Sequence, residues 1–453
     1  MNYFEALQYL RQLGNEVRPA QFSLQKILLL CRALGNPEGK FSSILIAGTN
    51  GKGSTAAILY SILLQAGIPV GLYTSPHLIS PRERIRINRS CISEDEFAAG
   101  LSEVKEKVAY LTAKGRLGFS PTFFEVLTAA AFLHFARSGI RLAVLEVGMG
   151  GRLDAVNVCR PLAVALTGIS LDHQRFLGNS LISIAREKTG IFRRGVPAVI
   201  GHLQPRILHW VSRRAAQMGT PIQILSQVSK QRLIEVRKSR FLFALHTKCF
   251  RYDRLEPSLC GYHQMSNTGI AILLAENLAE QGWPVEPQHI VRGVSGAFWP
   301  GRMQLWDGDP PLLLDGAHNR ESATNLASFL QAHFFSKNLT IIFGAMRDKD
   351  IPVMVRTLFP LADQVILTCP KNSRAAAPEE LLSIGKAQYG GNLTVAPSIR
   401  QALEMARHDS NQDSLVVVTG SLYLVGEALA ELNWDPTQPI PELDSQPAAG
   451  LYG

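Results

Sequence analysis

The sequence predicts an α/β protein built from two doubly wound units, and three observations carry that prediction. A glycine-rich loop, "GTNGKGST" at residues 48–55, follows an apolar run and opens a helix. Short apolar strands alternate with helical segments from residue 44 to about 200. A second, shorter series of the same alternation begins near residue 311. Parallel sheets covered on both faces give this texture, because their strands are buried on both sides and read as continuous apolar runs.

Taken in order, "MNYFEALQYLRQLG" reads as an amphipathic helix without the apolar stretch of a signal peptide. "ILIA" is the first buried strand, followed by a helix from Lys52 to about Ala66, and "PVGLYTSP" is the next strand. "SEDEFAAGLSEVKEKVAYL" is a helix opened by Ser93 and Glu96 as a capping box. "PTFFEVLTAAAFLHFARSG" is another, with proline at its start and glycine at its end. "RLAVLEVG", "LAVALTGI" and "PAVIG" are further buried strands. Between about 222 and 255, segments such as "RFLFALHTKCFRY" predict antiparallel strands flanking the parallel sheet, and "HQMSNTGIAILLAENLAEQG" resumes the helical period.

Gly and Pro in "SGAFWPGRMQ" mark a boundary near residues 296–301. Five strand-and-helix alternations follow it: "PLLLDGAHN", "LTIIFGAM", "QVILTCP", "NLTVAPS" and "SLVVVTGSLYLVGEAL". The expected division is therefore residues 1–298, residues 299–435, and a loose Pro-rich tail over 436–453.

At 453 residues, 46% hydrophobic and 18% charged, the chain has ample core and is not disordered. Its formal charge of +9 suits anionic partners, but no Lys/Arg run or RNA-binding signature points to nucleic acid. The six cysteines are scattered without CxxC or zinc spacing, which predicts reduced thiols and a cytoplasmic protein. No apolar run is long enough to span a membrane, which takes about 18 residues or more.

The glycine loop has the parts of a polyphosphate site. Small residues let backbone N–H groups converge on anionic oxygens, and a helix N-terminus favours negative charge. Lysine adds a point charge, and the hydroxyl of Ser54 or Thr55 can hold Mg²⁺. Gly53 separates Lys52 from Ser54, so the spacing departs from the usual G-K-[ST]. The rival reading is a tight turn with packing glycines, which leaves the lysine unexplained.

Other polar groups fall at strand ends, where open α/β sheets place ligands. Glu146 lies in "LEVGMGGRLDAVN", Asp172 and His173 in "ISLDHQRFLG", and Glu187 with Lys188 in "IAREKTGIF". Glu146 suits Mg²⁺, which prefers oxygen. His173 taken alone reads as a hydrogen-bonded structural residue. "PRERIRIN" is either a half-buried strand with a charged outer face or a segment reaching an anionic substrate. "TFFEVLTAAAFLHF" is chiefly a core helix, with Glu125 and His134 read as packing and surface. "GAMRDKD" reads as a solvated turn rather than a nucleotide contact.

"GTNGKGS", "TSPHLISPRERIRIN", "TFFE", "EVGMGGRLDAVN", "LDHQRFLG", "IAREKTGI", "PGRMQ", "LDGAHN", "FGAMRDKD" and "TGSLYLVGE" occur in this order across about 375 residues. In this the chain resembles the folylpolyglutamate and dihydrofolate synthases of the Mur ligase superfamily. "DAVN" and "EKTG" depart slightly from the expected motifs, and "RPAQFSLQKI" matches its segment poorly.

The resemblance implies a large P-loop, Mur-ligase-type central domain and a smaller Rossmann-like C-terminal domain. It also implies ATP-dependent ligation of L-glutamate to dihydropteroate, to reduced folylpolyglutamate, or to both, through an acyl phosphate. Asn50, Gly51, Lys52, Gly53, Ser54 and Thr55 would bind ATP, joined by Asn267, Arg302 and Asp315. Two Mg²⁺ ions would be held by Ser75 and Glu146, and by His173 with a carbamylated Lys188. His318 and Ser421 would face the incoming glutamate. The pterin would sit near Pro19, Ala20 and Gln21, near Thr122, Phe123, Phe124 and Glu125, and near Gly151, Arg152 and Leu153. A monomer acting on small molecules is expected. The rivals are a ligase for a cell-wall precursor, against which "TSPHL" and "TGSLYL" argue, and a nucleotide-binding module without catalysis.

Overall fold

The computed structural model describes residues 1–14, 23–237, 239–411 and 413–440. Pro19, Ala20 and Gln21 lie outside these residues, as does the tail from residue 441 onward. The helix Tyr3–Gln12 is capped by Asn2, which exchanges hydrogen bonds with Glu5.

The first sheet contains β1 (Ser42–Ala47), β2 (Val70–Tyr73), β3 (Ile85–Ile87), β4 (Ser90–Cys91), β5 (Leu142–Glu146), β6 (Pro161–Leu166), β7 (Ala198–Ile200) and β8 (Ile222–Ile224). Their order is β4-β3-β2-β5-β1-β6-β7-β8. β1 pairs in parallel with β5 on one side and β6 on the other. Its residues Ile44–Ala47 are fully buried, as the apolar run requires. The consequence for function is geometric: the loops leaving β5, β1 and β6 emerge side by side at one edge.

The helix Lys52–Gln65 packs between the sheet and the helices His263–Glu280 and Pro287–Ser295. Eleven of its residues, Gly53–Leu63, are buried, so it carries almost no polar face. The expected capping box at Ser93 and Glu96 is present. A second box joins Thr122 and Glu125, with Pro121 just outside the helix Phe123–Arg137.

The segment from 222 to 255 differs from expectation. β8 joins the main sheet in parallel with β7. β9 (Lys230–Arg237), β10 (Arg240–His246) and β11 (Arg251–Leu255) form a separate antiparallel sheet in the order β11-β10-β9. β10 alone is buried over most of its length, which fits its central place.

The other large sheet has β12 (Gln304–Trp306), β13 (Leu312–Leu314), β14 (Asn338–Phe343), β15 (Gln364–Leu367), β16 (Asn392–Val395) and β17 (Ser414–Thr419). Its order is β12-β13-β17-β14-β15-β16. Five of these strands match the expected alternations, and β12 adds an antiparallel edge strand. Residues 296–303 join this sheet to the helix Pro287–Ser295.

"PRERIRIN" is not a strand with a charged outer face, although Ile85–Ile87 within it is β3. Pro81–Arg84 is a turn of 3₁₀ helix, and Arg84 and Arg86 are only 1% and 6% exposed. Arg84 Nε donates to His77 Nδ1 at 2.9 Å, and its guanidinium lies 5.2 Å from the Phe123 ring. Arg86 Nη2 donates to the Pro436 carbonyl at 2.8 Å, and the Ile440 N–H donates to the Arg89 carbonyl at 2.8 Å. The first residues of the tail are thus held against β3 and β4 instead of hanging loose. Among the described residues, no helix is long and apolar enough to cross a membrane.

Candidate active site

One cavity of about 1500 Å³ lies where the carboxyl ends of the first sheet face those of the second. Every expected site residue that the structure describes lines it, except Thr55, which is fully buried in the helix behind the glycine loop.

The loop after β1 depends on two glycines. Gly48 has φ +155°, and a Cβ there would run into the Thr167 side chain. Gly51 has φ +84° and caps the helix Lys52–Gln65, with the Asn267 side chain directly against it. Thr167 Oγ1 donates to the Asn50 carbonyl at 2.6 Å, which ties the loop to the end of β6. Lys52 Nζ donates to the Thr49 carbonyl at 3.1 Å. Burial pushes the Lys52 ammonium down from its ordinary pKa, while Glu146 and Asp172 pull it back up. Ser54 Oγ accepts from Gln264 Nε2 at 3.4 Å, and Gln264 Oε1 accepts from Asn267 Nδ2 at 2.8 Å.

Glu146 ends β5 and is 4% exposed. Its Oε2 accepts the Ser75 N–H at 3.2 Å. Burial raises its pKa, opposed first by the charge of Lys52. The glycine turn that follows does structural work for Lys188. A Cβ on Gly151 would stand 2.9 Å from the carbonyl oxygens of Glu187 and Lys188. Arg152 N donates to the Glu187 carbonyl at 2.8 Å, and its guanidinium pairs with the Glu187 carboxylate at 2.9 Å. Lys188, 4% exposed, donates from Nζ to the Gly48 carbonyl at 2.6 Å. Burial, and then the charge of Lys52, push its pKa down to about 7. A large share of the amine is therefore unprotonated at neutral pH.

Thr122 and Glu125 line the cavity, but their polar atoms serve the helix cap. Glu125 Oε2 accepts from Thr122 N at 2.7 Å and from its hydroxyl at 2.9 Å, and lies 3.7 Å from Lys26 Nζ. Glu125 is buried, not a surface group. Phe123, Phe124 and Leu153 supply apolar wall.

Asp172, at the end of the β6 loop, is the junction of the two sheets. Its Oδ1 accepts from Lys349 Nζ at 2.6 Å and from His173 N at 2.8 Å. Its Oδ2 accepts from Asn319 Nδ2 at 3.4 Å and lies 3.7 Å from His318 Nε2. Burial would raise the Asp172 carboxyl, but His318, Lys349 and His173 outweigh it and hold the group far below the usual carboxylate range. His173, in a left-handed conformation at φ +48°, is pushed down to about 4 by burial and so presents a neutral ring.

On the second sheet, Asp315 accepts from Met303 N and Ala317 N, both at 2.9 Å. Burial raises its pKa, with the charge of Arg302 opposing. His318 Nδ1 lies 2.8 Å from the Gly316 carbonyl. A carbonyl only accepts, so Nδ1 carries the proton there and Nε2 faces Asp172. Ser421 caps the helix Leu422–Glu431 and accepts from Tyr423 N at 3.1 Å. Asn50 reaches across as well, giving Nδ2 to Glu321 at 2.8 Å and accepting from Asn319 Nδ2 at 2.9 Å.

Lys349 corrects the sequence reading most sharply. "GAMRDKD" is not simply a solvated turn, because the Lys349 side chain is 9% exposed and ion-paired. The signal that could have found it was present, a charged run directly after a buried strand. Asn319 and His77 lay inside the quoted "LDGAHN" and "TSPHL" but were given no role there. Among the described residues no three His, Cys, Asp or Glu side chains are grouped to enclose a metal.

Residues 46–275 match the Mur ligase middle domain, and residues 303–431 match the C-terminal domain of dihydrofolate synthetase. The chain is 33% identical over 411 residues to the dihydrofolate synthase/folylpolyglutamate synthase of Bacillus subtilis, covering 89% of this chain and 93% of that one. It is 33% identical over 430 residues to folylpolyglutamate synthase of Lacticaseibacillus casei, covering 94% and 97%. Among solved structures it resembles Mycobacterium tuberculosis folylpolyglutamate synthase complexed with ADP, at TM-score 0.88 and 30% identity over 96% of this chain and 100% of that one. It also resembles E. coli FolC in complex with DHPP and ADP, at TM-score 0.84 and 28% identity over 94% and 97%.

Proposed function

The chain belongs to the dihydrofolate synthase and folylpolyglutamate synthase family of Mur-type ATP-dependent ligases, and from that premise we propose the reaction that its site performs. L-Glutamate is joined through its amine to the carboxylate of dihydropteroate, of a reduced folylpolyglutamate, or of both, with ATP converted to ADP and phosphate. One observation carries this reading: Lys52 after β1, Glu146 at the end of β5 and Lys188 at the end of the helix Leu181–Lys188 line the same cavity as Arg302, Asp315 and His318 of the second sheet.

A carboxylate is a poor acyl donor because oxide would have to leave. Its oxygen attacks the γ-phosphorus of ATP, ADP leaves, and the product is an acyl phosphate. The glutamate amine then attacks the acyl carbon, the carbon–oxygen bond breaks, and phosphate departs with the bridging oxygen. Phosphoryl transfer needs positioning and charge neutralisation more than covalent chemistry. Gly51–Ser54 offer backbone N–H groups and the Lys52 charge to the phosphates, with Asn50 and Thr55 in the same turn. Asn267, Arg302 and Asp315 meet the rest of the nucleotide.

Ser75 and Glu146 are oxygen donors suited to one Mg²⁺, which takes most of its ligands from phosphate and water. His173 offers a neutral ring to a second ion, together with Lys188 once its amine has added CO₂ and released a proton to become a carbamate. The unprotonated fraction of Lys188 supports that step, because only the free amine adds CO₂. Magnesium bound there would offset charge on the transferred phosphoryl group.

His318 and Ser421 orient the glutamate. Phe123, Phe124 and the Gly151–Leu153 turn contact the pterin. The units divide at residue 299, and closure about the Trp299–Gly301 hinge keeps water from the acyl phosphate. Six unpaired thiols support a reducing compartment, the cytoplasm.

The test is phosphate release with each co-substrate omitted in turn. Release that requires ATP, glutamate and either dihydropteroate or tetrahydrofolate supports the reading. Release indifferent to the pterin acid and to glutamate contradicts it.

A further inference from the structure

Five cations of the second sheet line the cavity: Arg302, Arg320, Arg347, Lys349 and Arg374. Four of them already answer a carboxylate. Arg302 acts on buried Asp315. Arg320 lies 3.6 Å from Asp350, Arg347 lies 3.2 Å from Glu380, and Lys349 lies 2.6 Å from Asp172. Arg374 is different. Among the described residues no carboxylate pairs with it, and it is an exposed residue on the lining of the cavity.

Its side chain meets Tyr423. Nη2 donates to the Tyr423 hydroxyl at 3.2 Å, and the guanidinium lies 5.9 Å from the centre of that ring. The backbone beneath is pinned to the loop after β14. Arg347 N donates to the Arg374 carbonyl at 2.9 Å, Ala376 N donates to the Ala345 carbonyl at 2.9 Å, and Met346 bridges Ala375. Asn372 Oδ1 accepts the Arg374 N–H at 3.0 Å. Tyr423 in turn donates its N–H to Ser421 Oγ at 3.1 Å. A planar fork with further donors, set beside a tyrosine at the edge of a reaction cavity, is suited to a carboxylate.

The reaction brings such a group to this wall. Glutamate enters with two carboxylates and must leave its amine free to attack. Each carboxylate loses water on entering the cavity and needs a donor in exchange. We propose that Arg374, braced by Tyr423, binds one carboxylate of the incoming glutamate and so sets the preference for an acidic amino acid. This inference rests on the ligase reading above, which can hold without it. Arg374 is a substrate-binding residue here, while Tyr423 is a positioning residue that acts through it.

The experiment is steady-state kinetics of Arg374→Ala, Arg374→Lys and Tyr423→Phe, each with glutamate, ATP and the pterin acid varied in turn. Arg374→Ala is expected to raise KM for glutamate about tenfold to a hundredfold. KM for ATP and for the pterin acid should stay within about twofold. Arg374→Lys should recover part of the loss, and Tyr423→Phe should show a smaller increase confined to glutamate. Glutamine and 4-aminobutyrate, each lacking one of the two carboxylates, serve as competing amines. The effect of Arg374→Ala should vanish for whichever of them lacks the carboxylate that Arg374 holds. An unchanged KM for glutamate, equal rises for all three substrates, or an equal loss with both analogues overturns the assignment. If the unaltered enzyme forms no glutamyl product, the ligase reading itself fails, which is a separate outcome.

Discussion

Lys349 and Asp172 form a buried ion pair between the two sheets, Nζ to Oδ1 at 2.6 Å, with side chains 9% and 8% exposed. The pair joins the loop after β14 to the loop after β6, beside His173 and His318. Removing one partner of a buried pair leaves the other charge without compensation, which typically costs about 3 kcal/mol or more. Asp172 keeps Asn319 and the His173 N–H, so Lys349→Ala should lose about 2 kcal/mol, read by urea unfolding. It should also cut kcat/KM at least about tenfold by loosening the facing walls. Unchanged stability together with unchanged kcat/KM would show that the pair does neither job.

Lys188 predicts a pH dependence. Its pKa is about 7 in the folded chain against 10.5 for a free lysine side chain. Between these values the unfolded chain holds a proton that the folded chain has released, so unfolding takes up protons and stability rises with pH. The penalty for burying the amine is fully present below about pH 7 and is relieved as pH climbs towards 10. Relative to Lys188→Met in CO₂-free buffer, the unaltered protein should gain stability across that window, by at most about 1.4 kcal/mol per pH unit. Parallel stability curves for the two proteins would contradict the lowered pKa.

Lys188→Ala should abolish ATP-dependent amide formation while leaving the fold intact by circular dichroism. Near-normal turnover, with added bicarbonate or without, would remove Lys188 from the reaction.

Gly151→Ala tests how Lys188 is placed. The new methyl would meet two backbone oxygens at 2.9 Å, and neither can turn aside as a side chain could. A loss of about 1–3 kcal/mol is expected, with kcat lowered more than KM for glutamate is raised. A neutral effect on both would mean that the turn does not position the helix Leu181–Lys188.

Truncation after Asp435 should expose the role of the strap. Arg86 is 6% exposed and gives Nη2 to the Pro436 carbonyl. Losing that acceptor should cost about 1–3 kcal/mol, seen as a lower thermal midpoint. An unchanged midpoint would return the whole segment to the status of a loose tail.

The sheets were legible because buried parallel strands leave continuous apolar runs, and "ILIA" and "LAVLE" mark β1 and β5 directly. Glu146 was legible as a charge at the very end of such a run, and Lys52 as a lysine set among the glycines of a loop that opens a helix. Asp172 was visible as a strand-end acid, but its partners Lys349 and Asn319 lie far along the chain. Only the facing of two sheets brings them within hydrogen-bonding distance. Arg84 and Arg86 misled for the same reason. Their alternation with isoleucine suggested an outward charged face, yet His77 and the Pro436 carbonyl receive them inside. β12 escaped because three residues beside a glycine turn carry too little pattern.

The most direct test of the account follows one oxygen atom. The pterin acid is supplied with ¹⁸O in its carboxylate, together with ATP and glutamate, and the released phosphate is analysed by mass. An acyl phosphate predicts one ¹⁸O in each phosphate, carried over as the carbon–oxygen bond breaks. Phosphate free of label, released alongside glutamyl product, would contradict it.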